Sequence, residues 1–270
     1  NFPALDLNHI SVRNDDGVAY LETMSPVDCI FLDPARRNEH GGKTVAISDC
    51  EPNVAELEGL LLSKANRIMI KLSPMLDLSQ ALKELPHTQE VHIISVNNEC
   101  KELLLLLGQT APEEIPVHCV NLSTKGEQEK QLFVFTREQE QHSECSYTDT
   151  LGNYLYEPNA SLLKAGAFRS IAAAYSVKKL HPNSHLYTSD TQIEGFPGRT
   201  FRIINRCSLN KKEIKENLSD LKKANITVRN FPATVAELRK RIKLAEGGDT
   251  YLFASTLNDG QKILIRCGKV

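Results

Sequence analysis

At 270 residues, with 41% hydrophobic and 24% charged content, the chain can bury the cores of about two ordinary domains without metal or disulfide staples. No apolar run comes near the roughly 18 residues a membrane helix needs, and no charged-then-apolar leader opens the sequence, so neither a membrane span nor a secretory signal is expected and a cytoplasmic setting is. The net charge of −2 joins two unlike halves: residues 1–150 hold 12 Lys+Arg against 24 Asp+Glu and residues 151–270 hold 20 against 10, a basic balance that attracts phosphate backbones.

In chain order, short apolar runs alternate with helical patterns. Strands are expected near Ile10–Arg13, Asp28–Leu32, Arg67–Leu72 and Glu90–Val96, with helices near Asn53–Ser63, Leu76–Leu85 and Asn98–Leu107. That alternation predicts parallel strands joined by crossover helices. The runs Val117–Leu122 and Gln131–Thr136 read as a hairpin at the sheet edge, and the acidic stretch Arg137–Thr150 as a linker or hairpin extension.

Two helices should follow, near Asn159–Ala165 and Ala167–Lys179, before Pro182 interrupts the pattern. Strands at Phe201–Cys207, Ile226–Asn230, Thr250–Leu257 and Lys262–Cys267 then interleave with helices at Lys211–Ala224 and Thr234–Ala245, giving a small α+β layer in the order βαβαββ. In the first of these helices Ile214, Leu218 and Leu221 define a buried face, which leaves Lys211, Lys212, Lys215, Lys222 and Lys223 outside. In the second, Val235, Leu238 and Ile242 point inward and Arg239, Lys240, Arg241 and Lys243 spread over the exposed faces. Domains are therefore expected at 1–150 and 151–270.

The seven cysteines never fall at a Cys-x-x-Cys spacing, which suits free thiols in a reducing compartment. His181 and His185 flank a proline turn with no third ligand nearby, so no metal is expected.

The stretch Cys29–Lys43, "CIFLDPARRNEHGGK", ends an apolar strand in Asp33-Pro34-Ala35-Arg36. Ligands of open α/β sheets collect beyond the carboxyl ends of strands, and the proline restricts the Asp33 backbone, so its carboxylate is a candidate fixed acceptor. Upstream, "ISVRNDDGVAYL" places Asp15-Asp16-Gly17 between a short run and a helix carrying Leu21. The two motifs resemble the third and fourth strand ends of class I S-adenosylmethionine-dependent methyltransferases. The resemblance implies a partial Rossmann-like sheet, a cofactor contact at Asp16 with Asp15 beside it, and a methyl-acceptor site at Asp33, Pro34 and Arg36. The segment Arg229–Cys267 is similar to the THUMP-like domain that follows such sheets, and residues 159–270 are expected to lie within that region. This implies RNA, either tRNA or rRNA, as partner, with Arg239, Lys240, Arg241, Lys243, Lys211 and Lys215 on the contact faces.

The family's glycine turn after the first strand and the acid ending its second are not in the sequence. The chain is therefore expected to be a C-terminal fragment without those two strands. Its first residues, through Leu21, should be displaced, swapped or mobile, and the fragment alone should bind cofactor negligibly. After the next strand stand Lys71-Leu72-Ser73-Pro74-Met75 with no cysteine, which disfavours cysteine-dependent carbon methylation and favours an exocyclic amine as acceptor. A non-catalytic RNA-binding module on a degenerate methyltransferase fold is the alternative.

Overall fold

The computed structural model of the protein describes Phe2 and residues 5–36, 46–124 and 130–270. It forms two compact units, the first made of Asn1–Glu90 with Leu104–Glu113 and the second of Val91–Leu103 with Glu114–Val270.

The first unit opens on turns, then α1 (Gly17–Thr23), capped by Asp16 and burying Leu21. β1 (Val27–Leu32) leads through the two-residue β2 (Ala35–Arg36), which pairs with β3 (Cys50–Glu51). α2 (Val54–Lys64) is capped by Asn53 and runs directly into β4 (Ala65–Leu72). β1 and β4 pair in parallel, Val27 opposite Ala65 through Leu32 opposite Ile70, as a strand–helix–strand crossover requires. β4 buries Ile68, Ile70 and Leu72 at a period of two, and α3 (Leu78–Glu84) follows.

One expectation fails in this unit. Residues 10–14 form no strand and Val12 is 74% exposed, because a strand needs a ladder neighbour and none pairs with it among the described residues. Lys64 Nζ at the end of α2 donates to the carbonyls of Glu22 at 2.9 Å and Met24 at 2.8 Å, tying the end of α1 to the unit.

β5 (Thr88–Val96), β6 (Glu99–Gly108), β7 (Val117–Leu122) and β8 (Lys130–Phe135) complete a mixed sheet whose hydrogen-bonded order is β1-β4-β6-β5-β7-β8. β6 replaces the helix expected over Asn98–Leu107. Asn97 and Asn98 both have positive φ, 50° and 65°, the signature of a two-residue type I′ hairpin. Beyond that turn Leu103, Leu105 and Leu107 are buried at a period of two. Five consecutive leucines match a helical and a strand pattern equally, and the turn decides between them. The expected hairpin of β7 and β8 forms, Val117 opposite Phe135.

The stretch expected to be a linker folds instead into α4 (Arg137–His142), which opens on a Thr136/Gln139 capping box. β9 (Tyr154–Pro158), α5 (Ala160–Ala165), α6 (Arg169–Ala174), β10 (Lys178–Lys179) and β11 (Tyr187–Ser189) follow. The helix expected over Ala167–Lys179 is shorter because Ser176, at φ 52°, breaks it. β12 (Gly198–Cys207), α7 (Lys211–Leu218), β13 (Asn225–Val228), α8 (Val235–Ile242), β14 (Thr250–Thr256) and β15 (Lys262–Lys269) then give the expected βαβαββ order, with α7 ending at Leu218, short of Ala224.

β9 to β15 make one sheet in the order β10-β11-β9-β12-β15-β14-β13. Alternate residues of its central strands enter two cores. Phe253, Ile263 and Ile265 join Leu155, Leu186 and Phe201 on one face; Leu252, Ala254 and Leu264 join Leu218 of α7 and Leu238 of α8 on the other. Because both faces are covered, β14 and β15 read as continuous apolar runs.

Candidate functional site

Asp33 stands just beyond the carboxyl end of β1, and Lys71 lies near the end of the neighbouring β4. The register that sets Leu32 beside Ile70 brings the two side chains together: Lys71 Nζ lies 2.6 Å from Asp33 Oδ2, with Asp33 55% exposed. One carboxylate oxygen is thus held by an ammonium while the group still faces solvent. Pro34 is half-buried, and Arg36 pairs through its backbone with Cys50. Arg37 and Gly41-Gly42 lie outside the described residues.

Asp16 is first a helix cap. Its Oδ1 accepts from the N–H groups of Val18 and Ala19, both at 2.9 Å, satisfying two orphan donors of α1. Oδ2 accepts nothing among the described residues. Asp15 is exposed. A hollow of about 350 Å³ in the first unit is lined by Val18, Cys50, Glu51, Asn53 and Leu57 among others. Val18 follows Asp16 by two residues, and Cys50 and Glu51 are the ladder partners of Arg36 and Ala35. The hollow thus touches the upstream motif at Val18, while Asp16, Asp33 and Pro34 are not among its lining residues.

The basic faces are less uniform than the sequence pattern suggests. Lys211, Lys215, Lys240 and Lys243 are exposed. Arg239 is drawn inward, its side chain 20% exposed and Nη1 donating to the Ala224 carbonyl at 3.2 Å. Arg241 Nη2 donates to the Leu209 carbonyl at 2.8 Å. Both guanidiniums brace the helix layer, because its loops leave carbonyls that no backbone donor reaches.

Three arrangements escaped the sequence reading. Lys71 is one, since strand register alone sets it beside Asp33. A second is the buried Glu157 on β9, whose side chain is 2% exposed. It accepts from Arg199 through Nε at 2.9 Å and through Nη2, and from Arg229 Nη2 at 2.8 Å. The third is a set of carboxamides around Gln131. The cysteines are free, and burial pushes Cys207 up to about 11 and Cys267 up to about 12, leaving them as inert thiols. His181 Nδ1 lies 3.0 Å from Asn183 N and from Asn230 Nδ2, while the His185 ring stacks on Phe168. No helix among the described residues is long and apolar enough to cross a membrane.

Residues 154–197 match the model of a ferredoxin-like domain and residues 198–269 that of a THUMP domain-like family. Antiparallel pairing of β9 with β12 joins the two into one sheet. The chain is also similar to the crystal structure of a candidate methyltransferase from Porphyromonas gingivalis W83, with a TM-score of 0.81 and 40% identity, covering 90% of this chain and 60% of that one. It thus spans about 60% of that relative's length. No curated protein matches it.

Proposed function

We propose that this chain, with its ferredoxin-like and THUMP-like domains, contributes the methyl-acceptor site and the RNA-binding region of an S-adenosyl-L-methionine-dependent RNA methyltransferase, the functional halves dividing near residue 150. The reading is carried by Asp33, a solvent-facing carboxylate at the carboxyl end of a parallel strand, held on one side by Lys71. The similarity to a candidate methyltransferase and the THUMP-like match support it.

The cofactor, when bound, supplies an electrophilic methyl group. Asp16 would hold it with Oδ2, the oxygen its helix cap leaves over. Lys71 fixes one oxygen of Asp33, so the other can accept an N–H of an exocyclic amine and aim the nitrogen lone pair, with Pro34 limiting the loop. Positioning of this kind acts on the chemical step. No cysteine follows β4 in the stretch Ser73–Met75, so an amine acceptor is favoured over a carbon that needs a thiol nucleophile. Arg36 follows in the same motif, and a guanidinium there would suit a base or its phosphate.

In the intact protein, Asp33→Ala should lower turnover by about two orders of magnitude while cofactor affinity stays within about twofold. Lys71→Met should lower turnover by about tenfold, because Asp33 keeps its charge and loses its anchor. Single-turnover methylation and calorimetric titration separate the two quantities, and unchanged turnover in both variants would remove the acceptor site from this loop. One observation favours a second reading, a non-catalytic RNA-binding module: Asp16, the cofactor contact, is already spent in part on capping α1. In that case the intact protein would bind RNA and leave the cofactor unbound.

A further inference from the structure

The second unit contains a larger cleft, about 720 Å³, that the acceptor site and the basic helices do not use. Its chemistry follows from a hydrogen-bond account of four of the six carboxamides that line it, Asn98, Asn121, Gln131 and Asn159. Every carbonyl oxygen among them is engaged internally. Asn98 Oδ1 accepts from Ala160 N at 2.8 Å, and Asn121 Oδ1 from Asn98 N at 2.9 Å. Asn159 Oδ1 accepts from Ser161 Oγ at 2.6 Å and Leu162 N at 3.2 Å. Gln131 Oε1 accepts from Asn121 Nδ2 at 3.3 Å and Asn159 Nδ2 at 3.1 Å. The amide nitrogens are not used up. Each carries two N–H groups; Asn121 and Asn159 spend one each on Gln131, Gln131 spends one on the Gly198 carbonyl at 3.1 Å, and Asn98 spends neither.

The cations nearby extend the pattern. Glu157 takes Nε and Nη2 of Arg199 and leaves Nη1 over. Lys269 is exposed and pairs with no acid among the described residues. The cleft is therefore rich in donors and positive charge, with the exposed Glu194 carboxylate and the exposed Gln192 carboxamide oxygen as acceptors among its lining side chains. A half-buried aromatic, Tyr251, lines it too, its ring backed by Phe201 at 4.9 Å. Asn159 is 1% exposed and Asn121 8% exposed, so the donors are fixed before any ligand arrives and cost little to organise.

We propose that this cleft binds a nucleotide: the phosphate takes the N–H groups around Arg199 and Lys269, the base carbonyls take the spare amide N–H groups, and the ring lies against Tyr251. A carboxylate ligand would satisfy the charge and leave the aromatic wall unused; a nucleotide satisfies both. The same chemistry is presented by a free mononucleotide and by an unpaired nucleotide within a strand. The site stands apart from the methylation reading and survives its failure.

Calorimetric titration of the full chain with uridine monophosphate, uridine, inorganic phosphate and a five-residue oligouridylate tests it. Uridine monophosphate should bind at least about tenfold more tightly than uridine or phosphate alone. Tighter binding of the oligonucleotide identifies a strand as the source, and equal binding identifies a free nucleotide. Gln131→Glu keeps the acceptor for Asn121 and Asn159 but turns the donating nitrogen into a charged oxygen, and should abolish binding. Lys269→Glu, a change at an exposed side chain, should weaken it about tenfold, whereas Lys83→Glu, at an exposed position of α3, should leave it unchanged. No binding of either nucleotide up to about 10 mM, phosphate binding as tightly as the nucleotide, or full affinity in both cleft variants at an unchanged melting temperature would overturn the proposal.

Discussion

His185 shows how a single side chain can set the response of its surroundings to pH. Its ring stacks on Phe168 with centroids 3.6 Å apart, and burial together with the charges of Lys179 and Arg229 pushes its pKa down from 6.5 to about 4. Lys179 is itself buried, donating to the Pro182 carbonyl at 2.7 Å and lying over the Phe168 ring, 4.9 Å from its centroid. Burial lowers its pKa as well. The folded protein thus keeps His185 neutral, while the unfolded chain takes up a proton near 6.5. Since the folded pKa is depressed, the contribution to stability is complete above about 6.5 and is lost as pH falls towards about 4. Melting temperature should fall across that window, and His185→Asn, which tolerates the local φ of 51°, should flatten the fall. An identical pH slope in wild type and variant would assign the effect to other groups.

Among the elements, α4 and α6 carry the clearest local lesson. Glu140, on the short helix α4, reaches the start of α6 and accepts from the N–H groups of Phe168 at 3.0 Å, Arg169 at 2.8 Å and Ser170 at 2.9 Å, and from Ser170 Oγ at 2.7 Å. Helix α6 begins with no side-chain cap of its own, so a carboxylate from 30 residues away supplies it. Glu140→Ala should cost about 2–3 kcal/mol, the range for several hydrogen bonds to one charged group, and Glu140→Gln should recover part of that. Urea unfolding with an unchanged m-value reads both. The Thr-x-x-Gln pattern that starts α4 is legible in the sequence as a capping box, but an acidic stretch without apolar period hid it. The hairpin into β6 was equally legible in Asn97-Asn98 and was masked by the helix propensity of the leucines that follow. Where periodicity was long and unambiguous, in α2, β4, α8 and β14, element type and position agree with the sequence reading to within a few residues.

For the molecule as a whole, the charge asymmetry is the property on which the RNA proposal turns. Arg239 and Arg241 hold backbone carbonyls, so the phosphate contacts are assigned to the exposed lysines, Lys211, Lys215, Lys240 and Lys243. If about four to six phosphates are met, the log–log dependence of affinity on salt should have a slope of roughly −3 to −5. Reversing Lys211, Lys240 and Lys243 to Glu should flatten that slope with the fold retained, whereas reversing Arg239 should also lower the melting temperature. Fluorescence anisotropy with a structured RNA at several salt concentrations checks both, and an unaltered slope in the lysine variant would move the interface elsewhere. By itself the sequence determined the strand–helix alternation around β1 and β4, the βαβαββ order after residue 198, the Asp33-Pro34 strand end and the excess of positive charge on the second half, because each is written in local period, turn chemistry or composition. Only the tertiary structure decided that Lys71 meets Asp33, that Glu157 gathers Arg199 and Arg229, that four carboxamides share one donor-rich cleft, and that two arginines of α8 hold backbone carbonyls. Those are consequences of strand register and of contacts between residues 10 to 72 positions apart, and no pattern confined to neighbouring residues encodes them.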